Sequence, residues 1–463
     1  MKDLLQRVVA YGTSLGAEFV DVRVQDTVTT DIALIDGVTR RVTIGRDRGA
    51  GFRAFIGGAW GFACTNDLSE EGLRTAVERA VKLALAAKER VKQPFKLAEY
   101  RWEEARVPAQ FKENPLDVAA EDKVRFLLEQ DKEVKAMSDR IVNRNFTYND
   151  AVGTLIVCNS EGCYVELGLC YIYARALIYA HEAGVTQFGY ERHAGAAGFE
   201  LTREEKAVNM GREAAEQALR LVKALPPPAG RFTVVLDPEM TGLFTHEAFG
   251  HCSEADHVLE GLSVLEGRVG CRVGSELVTI IDDPTVGGLY GHFIFDHEGV
   301  RAKPHRIVDR GILIGFMHSL ETAGRMGVEP NGAARAESYR VEPIIRMSNT
   351  YIAAGDWSLE EMLKDMREGM LIKGGWYGYV ETGKGVFTFK ARETYRVEKG
   401  EITTLHRDAA ISGLTLEVLM NIDAVGKEVK YGPGHCGKDG QWMRVTDGGP
   451  HIRVKNMVVG GAL

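Results

Sequence analysis

Several features of secreted and membrane proteins are missing from this sequence. It has no Cys-x-x-Cys motif, and its seven cysteines are an odd number spread over 463 residues. A large chain with such cysteines fits a reducing compartment better than a disulfide scaffold. The start, Met-Lys-Asp-Leu-Leu-Gln-Arg, lacks the apolar segment of a signal peptide, and no run of about 18 apolar residues is present to span a membrane. The sequence therefore predicts a cytoplasmic protein without a membrane segment.

A strong charge of either sign is also missing. The net charge is −8, the isoelectric point is about 5.9, and acidic and basic residues are mixed along the chain. Proteins that grip nucleic acid usually carry a concentrated basic field. Hydrophobic residues make up 45% and charged residues 26%, which is ordinary for a folded globular protein. We therefore expect neither nucleic acid nor a membrane as a partner.

The length predicts more than one domain, because 463 residues are too many for a single hydrophobic core. The clearest boundary is the segment 225–230, whose three consecutive prolines cannot continue a helix and form a stiff spacer. Residues 92–115 lose periodicity and are typical of a connector. We predict an N-terminal domain over 1–95, a middle domain over 115–224 and a C-terminal catalytic domain over 231–463.

The first two predicted domains share one order of elements: helix, strands, helix. The strand-like runs of the first domain are 19–24, 29–35, 41–44, 51–56 and 59–63, and Gly57-Gly58 is typical of a hairpin turn. Candidate N-caps are Ser69, with Asp67, for the helix that follows and Thr202 for the last helix of the middle domain.

The remainder of the chain is predicted to consist of short strands with few helices. Helical stretches are expected there near 240–251 and 359–366. The whole chain is thus predicted to be an α+β protein, in which two helix-flanked antiparallel β blocks precede a β-rich C-terminal domain.

The strongest chemical signal is a pair of histidines in a predicted helical stretch. Glu247 follows His246 at once, and His251 lies five positions after His246. Two imidazoles on one helical turn can bind Zn²⁺, and the glutamate can act as a general base. The common zinc-peptidase spacing is four, and residues five apart on a regular helix point about 140° away from each other. We therefore predict a π-type turn between the histidines, at Gly250, which lacks a Cβ atom.

Two residues are candidates for the third metal ligand. His257 lies six positions after His251, a spacing found in another zinc-peptidase class, although Glu254 stands where that class has glycine. Cys436 lies in a glycine-rich segment, 432–440, which we interpret as a loop flexible enough to approach a metal that would stabilise its thiolate. Catalytic zinc sites have three protein ligands and one open position, so the choice stays open on these grounds.

These motifs resemble those of the TldD/PmbA peptidases, over nearly the whole chain. The His-Glu-x-x-x-His motif is similar to that of the TldD branch, whereas the PmbA (TldE) branch lacks it. The other similar stretches are 49–53, 61–63, 296–299, 311–317, 346–350 and 436–441.

The resemblance implies a zinc peptidase with His246, His251 and Cys436 as ligands. It implies that Glu247 is the base that activates a zinc-bound water. The implied substrates are short or unfolded peptides, including leader peptides of peptide natural products. The implied assembly is a dimer that encloses the site, either a homodimer or a heterodimer with a TldE/PmbA-type paralogue. The resemblance does not predict a histidine at position 257, so His257 would either coordinate the metal or only line the cleft.

Three further hypotheses accompany this interpretation. His297 is a second candidate cleft residue, which would bind a substrate carboxylate or shape the cleft, although a loop with charged residues is more often merely solvated. An alternative hypothesis is that the chain is a catalytically weak binding partner in a TldD/TldE-type complex, but its intact Glu247 argues against this. It would hold a structural zinc if His257 closed the site as a fourth ligand.

Overall fold

A computed structural model of the chain describes residues 1–461, so the last two positions of the predicted range 231–463 lie outside the described residues. The architecture is α+β, as predicted. No helix within residues 1–461 combines the length and apolar character needed to cross a bilayer. The α-helices of the described part are α1 (Lys2–Ser14), α2 (Glu70–Lys88), α3 (Ala120–Met137), α4 (Glu205–Leu221), α5 (Pro238–Leu243), α6 (Ala255–Leu259), α7 (Leu320–Met326), α8 (Leu359–Met366) and α9 (Thr415–Met420).

The strands of the first two β blocks form one sheet. They pair in the order β3-β2-β1-β5-β6-β4, and β7 pairs with the same edge of β6 as β4, further along the strand. β1 joins the blocks through its antiparallel pairing with β5. Except for β4, which runs parallel to β6, neighbouring strands are antiparallel. The strands are β1 (Phe19–Ile35), β2 (Val38–Ile56), β3 (Ala59–Thr65), β4 (Glu104–Val107), β5 (Ile141–Asn159), β6 (Tyr164–Glu182) and β7 (Val185–Gly195).

The predicted division of the first strands was wrong. The runs 19–24 and 29–35 are parts of β1, and 41–44 and 51–56 are parts of β2. Polar residues interrupt the hydrophobic alternation between these runs, but the antiparallel ladder of β1 with β2 continues through them, so the backbone stays extended. The turn at Gly57-Gly58 is confirmed: both residues have positive φ, 58° and 89°.

Two apolar cores cover this sheet. One contains α1, α2 and residues of β1 and β2, and the other contains residues of α3, α4, β5 and β6. The side chain of Ser69 caps α2 by accepting a hydrogen bond from the N–H of Gly72, as predicted. The predicted cap at Thr202 was wrong, because α4 begins at Glu205 and the Thr202 hydroxyl donates instead to the carbonyl of Phe199 within a 3₁₀ turn.

The C-terminal region contains a six-stranded sheet, a seven-stranded sheet and a small two-stranded one. In the seven-stranded sheet β15 pairs with both β8 and β16, so β15, β8, β22, β18 and β16 close into a ring. The strands are β8 (Gly230–Leu236), β9 (Ile280–Asp282), β10 (His305–Asp309), β11 (Ile312–Leu313), β12 (Ala334–Arg335), β13 (Ile344–Ile345), β14 (Asn349–Ile352), β15 (Glu368–Glu381), β16 (Val386–Glu398), β17 (Glu401–His406), β18 (Ala409–Leu414), β19 (Ile422–Val425), β20 (Lys430–Lys438), β21 (Gln441–Gly449) and β22 (Ile452–Gly461).

The C-terminal region is richer in helices than the sequence predicts. The helical stretches expected near 240–251 and at 359–366 are present, but α6, α7 and α9 were not expected. These three helices have five to seven residues each, too few for a helical hydrophobic period to stand out. One large core joins residues of both main sheets to the segment that carries the two histidines.

Candidate metal centre

The histidine-bearing segment follows β8 and changes helical type along its length. Asp237 begins it by accepting a hydrogen bond from the N–H of Met240 at 2.8 Å, and Pro238 takes the first helical position. α5 continues into a π-helix, Phe244–Gly250, and then into a 3₁₀ turn, His251–Ser253. The predicted π-type turn between the two histidines is confirmed.

Gly250 contributes to this segment through its small size. The π-helix includes Gly250, as predicted, although the φ and ψ of this residue, −56° and −50°, are those of an ordinary right-handed helix. A Cβ atom at position 250 would lie 2.0 Å from Sδ of Met347, which is fully buried. The glycine is therefore required by the close approach of Met347 to the π-helix.

Three side chains form a cluster beside this segment: His246 and His251 from the segment itself, and Cys436 from β20. Their potential ligand atoms all lie within 4.8 Å of one another. Sγ of Cys436 is 3.3 Å from Nε2 of His251, and the two imidazole centroids are 5.4 Å apart. The residues are only 2%, 7% and 3% exposed. Both ring nitrogens of His246 lack a hydrogen-bond partner within the described chain, which is costly for a buried polar group unless a ligand binds it.

The three side chains alter one another's protonation. Burial by itself would raise the pKa of the Cys436 thiol, but the imidazoles of His251 and His246 outweigh it and hold that pKa well below its ordinary value. Burial by itself would lower the pKa of His246, but the Cys436 thiolate and the carboxylate of Glu247 raise it. The lowered pKa favours the thiolate form of Cys436, which is the form that binds metals.

Glu247 lies at the edge of this cluster. Its side chain is 32% exposed, in contrast to the buried histidines and cysteine. Its Oε2 is 3.8 Å from Nε2 of His251, too far for a hydrogen bond. The carboxylate is therefore accessible and is not committed to the neighbouring imidazole.

Cys436 is carried by a β-hairpin. β20 pairs along its length with β21 through a two-residue turn at 439–440, so the prediction that 432–440 form a flexible loop was wrong. Its glycine content favours a loop when read alone, but the neighbouring strand completes a regular ladder of backbone hydrogen bonds. Arg346, which is fully buried, donates to the carbonyl oxygens of Cys436 and Gln441 and so fixes both sides of the hairpin end.

The other two histidines singled out from the sequence are not members of the cluster. Nδ1 of His257 donates to the backbone oxygen of His251 at 2.9 Å. His297 accepts a hydrogen bond from the N–H of Ala336 at 2.9 Å and lines a different cavity of about 430 Å³, together with Arg444. The structure therefore brings neither imidazole to the three-residue cluster.

Two residues that were not predicted from the sequence, Glu254 and Lys438, lie next to the cluster. Glu254 is hydrogen-bonded to His251, and Lys438 is paired with Glu254. Nδ1 of His251 donates to Oε2 of Glu254 at 2.9 Å, and Nζ of Lys438 lies 3.2 Å from the same oxygen. Burial would raise the pKa of Glu254, but Lys438 and His251 outweigh it and lower that pKa to about 2. The sequence spacing could have identified both residues. Glu254 is three positions after His251, a spacing that places neighbours on one face of a helix, and Lys438 is two strand positions after Cys436, on the same face.

The fold and this cluster define a class of protein: an α+β protein with a candidate metal centre of two histidines and one cysteine. Three models of PmbA/TldA metallopeptidase domains match the chain. The model of domain 1 matches residues 20–84, that of the central domain matches 113–222, and that of the C-terminal domain matches 229–461.

Proteins similar over almost their whole length support the same class. A metalloprotease of Methanocaldococcus jannaschii is 41% identical over 438 residues, which cover 94% of this chain and 96% of the relative. A metalloprotease of Methanothermobacter thermautotrophicus is 39% identical and covers 96% of each chain. A protein of Saccharolobus solfataricus named zinc metalloprotease TldD homolog is 30% identical, covering 96% of this chain and 97% of the relative.

Solved structures share the fold. TldE from Thermococcus kodakarensis superposes with a TM-score of 0.77 at 19% identity, covering 99% of this chain and 100% of that one. A protein of Thermotoga maritima superposes with a TM-score of 0.80 at 24% identity, covering 99% of each chain. Together with the similarity to the relatives above, these findings confirm the resemblance: the chain belongs to the TldD/PmbA family of metallopeptidases.

Proposed function

We propose that the protein is a zinc-dependent peptidase that hydrolyses peptide bonds in short or unfolded peptides. The observation that carries this proposal is the buried imidazole of His246, whose two nitrogens have no partner among the described residues. An imidazole of His251 and a thiol of Cys436 lie beside it. A metal ion bound to one nitrogen of His246 would give this imidazole a partner, and it would also be coordinated by His251 and Cys436. The metalloprotease names of the relatives support the same function.

The donor atoms of the cluster fit zinc. Two imidazole nitrogens and a thiolate are ligands that Zn²⁺ prefers, and three protein ligands leave the open position of a catalytic site. His246, His251 and Cys436 would hold the ion. A bound zinc ion would supply Lewis acidity toward a peptide carbonyl and toward water. The zinc metalloprotease name of the relative from Saccharolobus solfataricus supports this choice of metal.

Glu247 would act as the general base. A general base needs a free carboxylate within reach of the reacting groups, without being bound to the metal itself. Glu247 is adjacent to His246, partly exposed, and 3.8 Å from the nearest histidine nitrogen. It would take a proton from the attacking water and pass it to the leaving amine.

The burial of the cluster supports an extended chain as substrate. Side chains that are 2–7% exposed cannot be reached by the surface of a folded protein. A short or unfolded peptide, such as the leader peptide of a peptide natural product, can approach a buried site as a single extended strand. A dimer, homomeric or with a TldE/PmbA-type paralogue, would enclose that site further, and the similarity to TldE supports such pairing.

Two rival functions predict other arrangements. A structural zinc site has four protein ligands, but His257 is not part of the group of His246, His251 and Cys436 whose potential ligand atoms lie within 4.8 Å of one another. A weak binding partner would have no use for an accessible base, which Glu247 offers. Both features favour a peptidase.

The test uses the purified chain and an unfolded peptide. Zinc content is measured by atomic emission, and peptide cleavage is followed before metal removal, after chelation and after zinc is restored. We expect about one zinc per chain, activity that disappears with the metal, and recovery on adding zinc. Cleavage that persists at full rate in metal-free protein would contradict the proposal. Light scattering of the same sample tests the dimer.

A further inference from the structure

Glu254 is a fully buried carboxylate that faces two donors from different parts of the chain. Its Oε2 lies 2.9 Å from Nδ1 of His251 and 3.2 Å from Nζ of Lys438. The first donor belongs to the histidine-bearing segment, and the second belongs to the hairpin that carries Cys436. One oxygen atom therefore connects the two chain segments that meet at the candidate metal centre.

Lys438 strengthens this connection through a second carboxylate. Its side chain is 4% exposed, and its ammonium donates to Oδ2 of Asp256 at 2.7 Å. Because alternate residues of a strand face the same side, Lys438 lies on the same face of β20 as Cys436. The ion pairs thus join the hairpin to the histidine-bearing segment close to two candidate ligands. Lys438 is two residues from Cys436, and Glu254 is three residues from His251.

The carboxylates around Lys438 do not form a second metal site. Potential ligand atoms of Glu254, Asp256 and His257 lie within 4.8 Å of one another. However, the Lys438 ammonium already lies within 3.2 Å of both carboxylates and balances their charge. The role left for this buried group is to hold its neighbours in place.

We propose that Lys438 and Glu254 form a latch that fixes His251 and Cys436 relative to each other, so that both face the metal position before zinc binds. This inference rests on the proposed zinc site. Oε2 of Glu254 accepts a hydrogen bond from Nδ1–H of His251, which orients Nε2 toward Sγ of Cys436, 3.3 Å away. Lys438 anchors the cysteine hairpin to the same carboxylate. Both are positioning residues, because neither belongs to the three-residue cluster.

A purely structural role would make a different prediction. Removing one partner of a buried ion pair lowers stability wherever the pair lies, and it would not change zinc binding in particular. The chain contains a matched control in the N-terminal sheet. Lys123 pairs with Asp150 at 2.5 Å, and the side-chain exposures, 4% and 0%, equal those of Lys438 and Glu254. Any effect of removing a buried lysine on stability alone should therefore appear in both variants.

The experiment compares Lys438→Met, Glu254→Gln and Lys123→Met with the unchanged protein. Zinc affinity is measured by competition with a chromogenic chelator, and the cobalt-substituted proteins are compared by their thiolate-to-metal absorption. We expect zinc affinity to fall about 10–100-fold in Lys438→Met and Glu254→Gln, the usual effect of removing a residue that supports a metal ligand. Lys123→Met should keep its zinc affinity within about 2-fold while it loses thermal stability. Lys438→Arg should restore part of the affinity.

A double variant separates a shared link from two independent effects. If both residues act through one latch, Lys438→Met should weaken zinc binding less in the Glu254→Gln background than alone. Unchanged zinc affinity and cobalt spectra in both single variants, with zinc bound normally by the unchanged protein, would overturn the latch alone. An unchanged protein that binds no zinc would overturn the proposed function and the latch together. If Lys438→Met does not fold, Glu254→Gln, which keeps the size of the side chain, gives the same test.

Discussion

Buried lysines paired with carboxylates occur in two regions of the molecule. Lys123 and Asp150 join α3 to β5 in the N-terminal sheet, and Lys438 and Glu254 join β20 to the end of the histidine-bearing segment. The charged groups are the same, and so are their exposures of 4% and 0%. The difference lies in their neighbours. Tyr148 lies near the first pair, whereas the second is hydrogen-bonded to His251.

The comparison shows that a buried ion pair does not reveal its own role. Removing one partner of either pair should destabilise the fold around it, since the remaining buried charge is left unpaired. Only the second pair contacts a residue of the candidate metal centre, so only its loss should also change metal binding and catalysis. The predictions below test this separation of stability from function.

The largest effect is expected at the metal centre itself. Cys436→Ala removes one of three candidate ligands, so bound zinc should fall from about one per chain to near zero and peptide cleavage to background. The fold should persist, because the exchange leaves the β20–β21 ladder intact. Atomic emission and circular dichroism check both points. Full zinc occupancy in this variant, together with zinc loss in His257→Ala, would reassign the third ligand.

The next effect is expected in the N-terminal pair. Asp150→Ala leaves the Lys123 ammonium buried without its partner, which should lower the free energy of unfolding by about 3–5 kcal/mol. Chemical denaturation measures this loss, and the zinc content of the folded fraction should stay at that of the unchanged protein. Replacing both residues by apolar ones, as in Lys123→Met with Asp150→Leu, should restore most of the stability. A parallel loss of zinc would break the distinction between the two regions.

A smaller loss is expected when only the base is altered. Glu247→Gln keeps the size of the side chain and removes its charge, so kcat for peptide cleavage should fall about 100-fold, equivalent to about 2.7 kcal/mol in the barrier. Zinc content and unfolding free energy should not change, because Glu247 is 32% exposed and is not part of the cluster. Cleavage at the unchanged rate would exclude Glu247 as the base, and loss of zinc would make it a ligand.

The local parts of the structure could be predicted from the sequence. The limits of α8, the Ser69 cap and the π-type turn follow from short-range rules about capping, hydrophobic spacing and the five-residue separation of the histidines. The continuity of β1 and the hairpin that carries Cys436 could not be predicted in this way. Both depend on a neighbouring strand, whose pairing no single stretch of sequence specifies.

The residues that position the candidate ligands, Lys438 and Glu254, were not predicted from the sequence for the same physical reason. Lys438 and Asp256 are 182 positions apart in the chain, yet their side chains are 2.7 Å apart. Local spacing indicates that Glu254 shares a face with His251, but it does not indicate which cation will neutralise a buried carboxylate. The direct candidate ligands carry a motif, whereas the residues that position them are identified only after the hairpin and the segment have been brought together.

The smallest effect is expected at Gly250, where one substitution should change both stability and zinc affinity. An alanine Cβ would lie 2.0 Å from Sδ of Met347, so Gly250→Ala should shift the π-helix and lower the free energy of unfolding by about 1–3 kcal/mol, the usual cost of overpacking a core. Zinc affinity should fall with it, because His251 is the next residue. Gly287→Ala is the matched control, since its Cβ would meet no atom within 4 Å.

The contact with Met347 can be tested separately from any intrinsic need for glycine. In a Met347→Ala background the space beside position 250 opens, so the added methyl group should cost much less than it does alone, or should recover stability by filling the cavity. Such non-additivity, measured by chemical denaturation of the four proteins, would assign the glycine to packing. An equal cost in both backgrounds would instead mean that the π-helix needs glycine for its backbone, although the φ of −56° at this residue is one that alanine adopts readily.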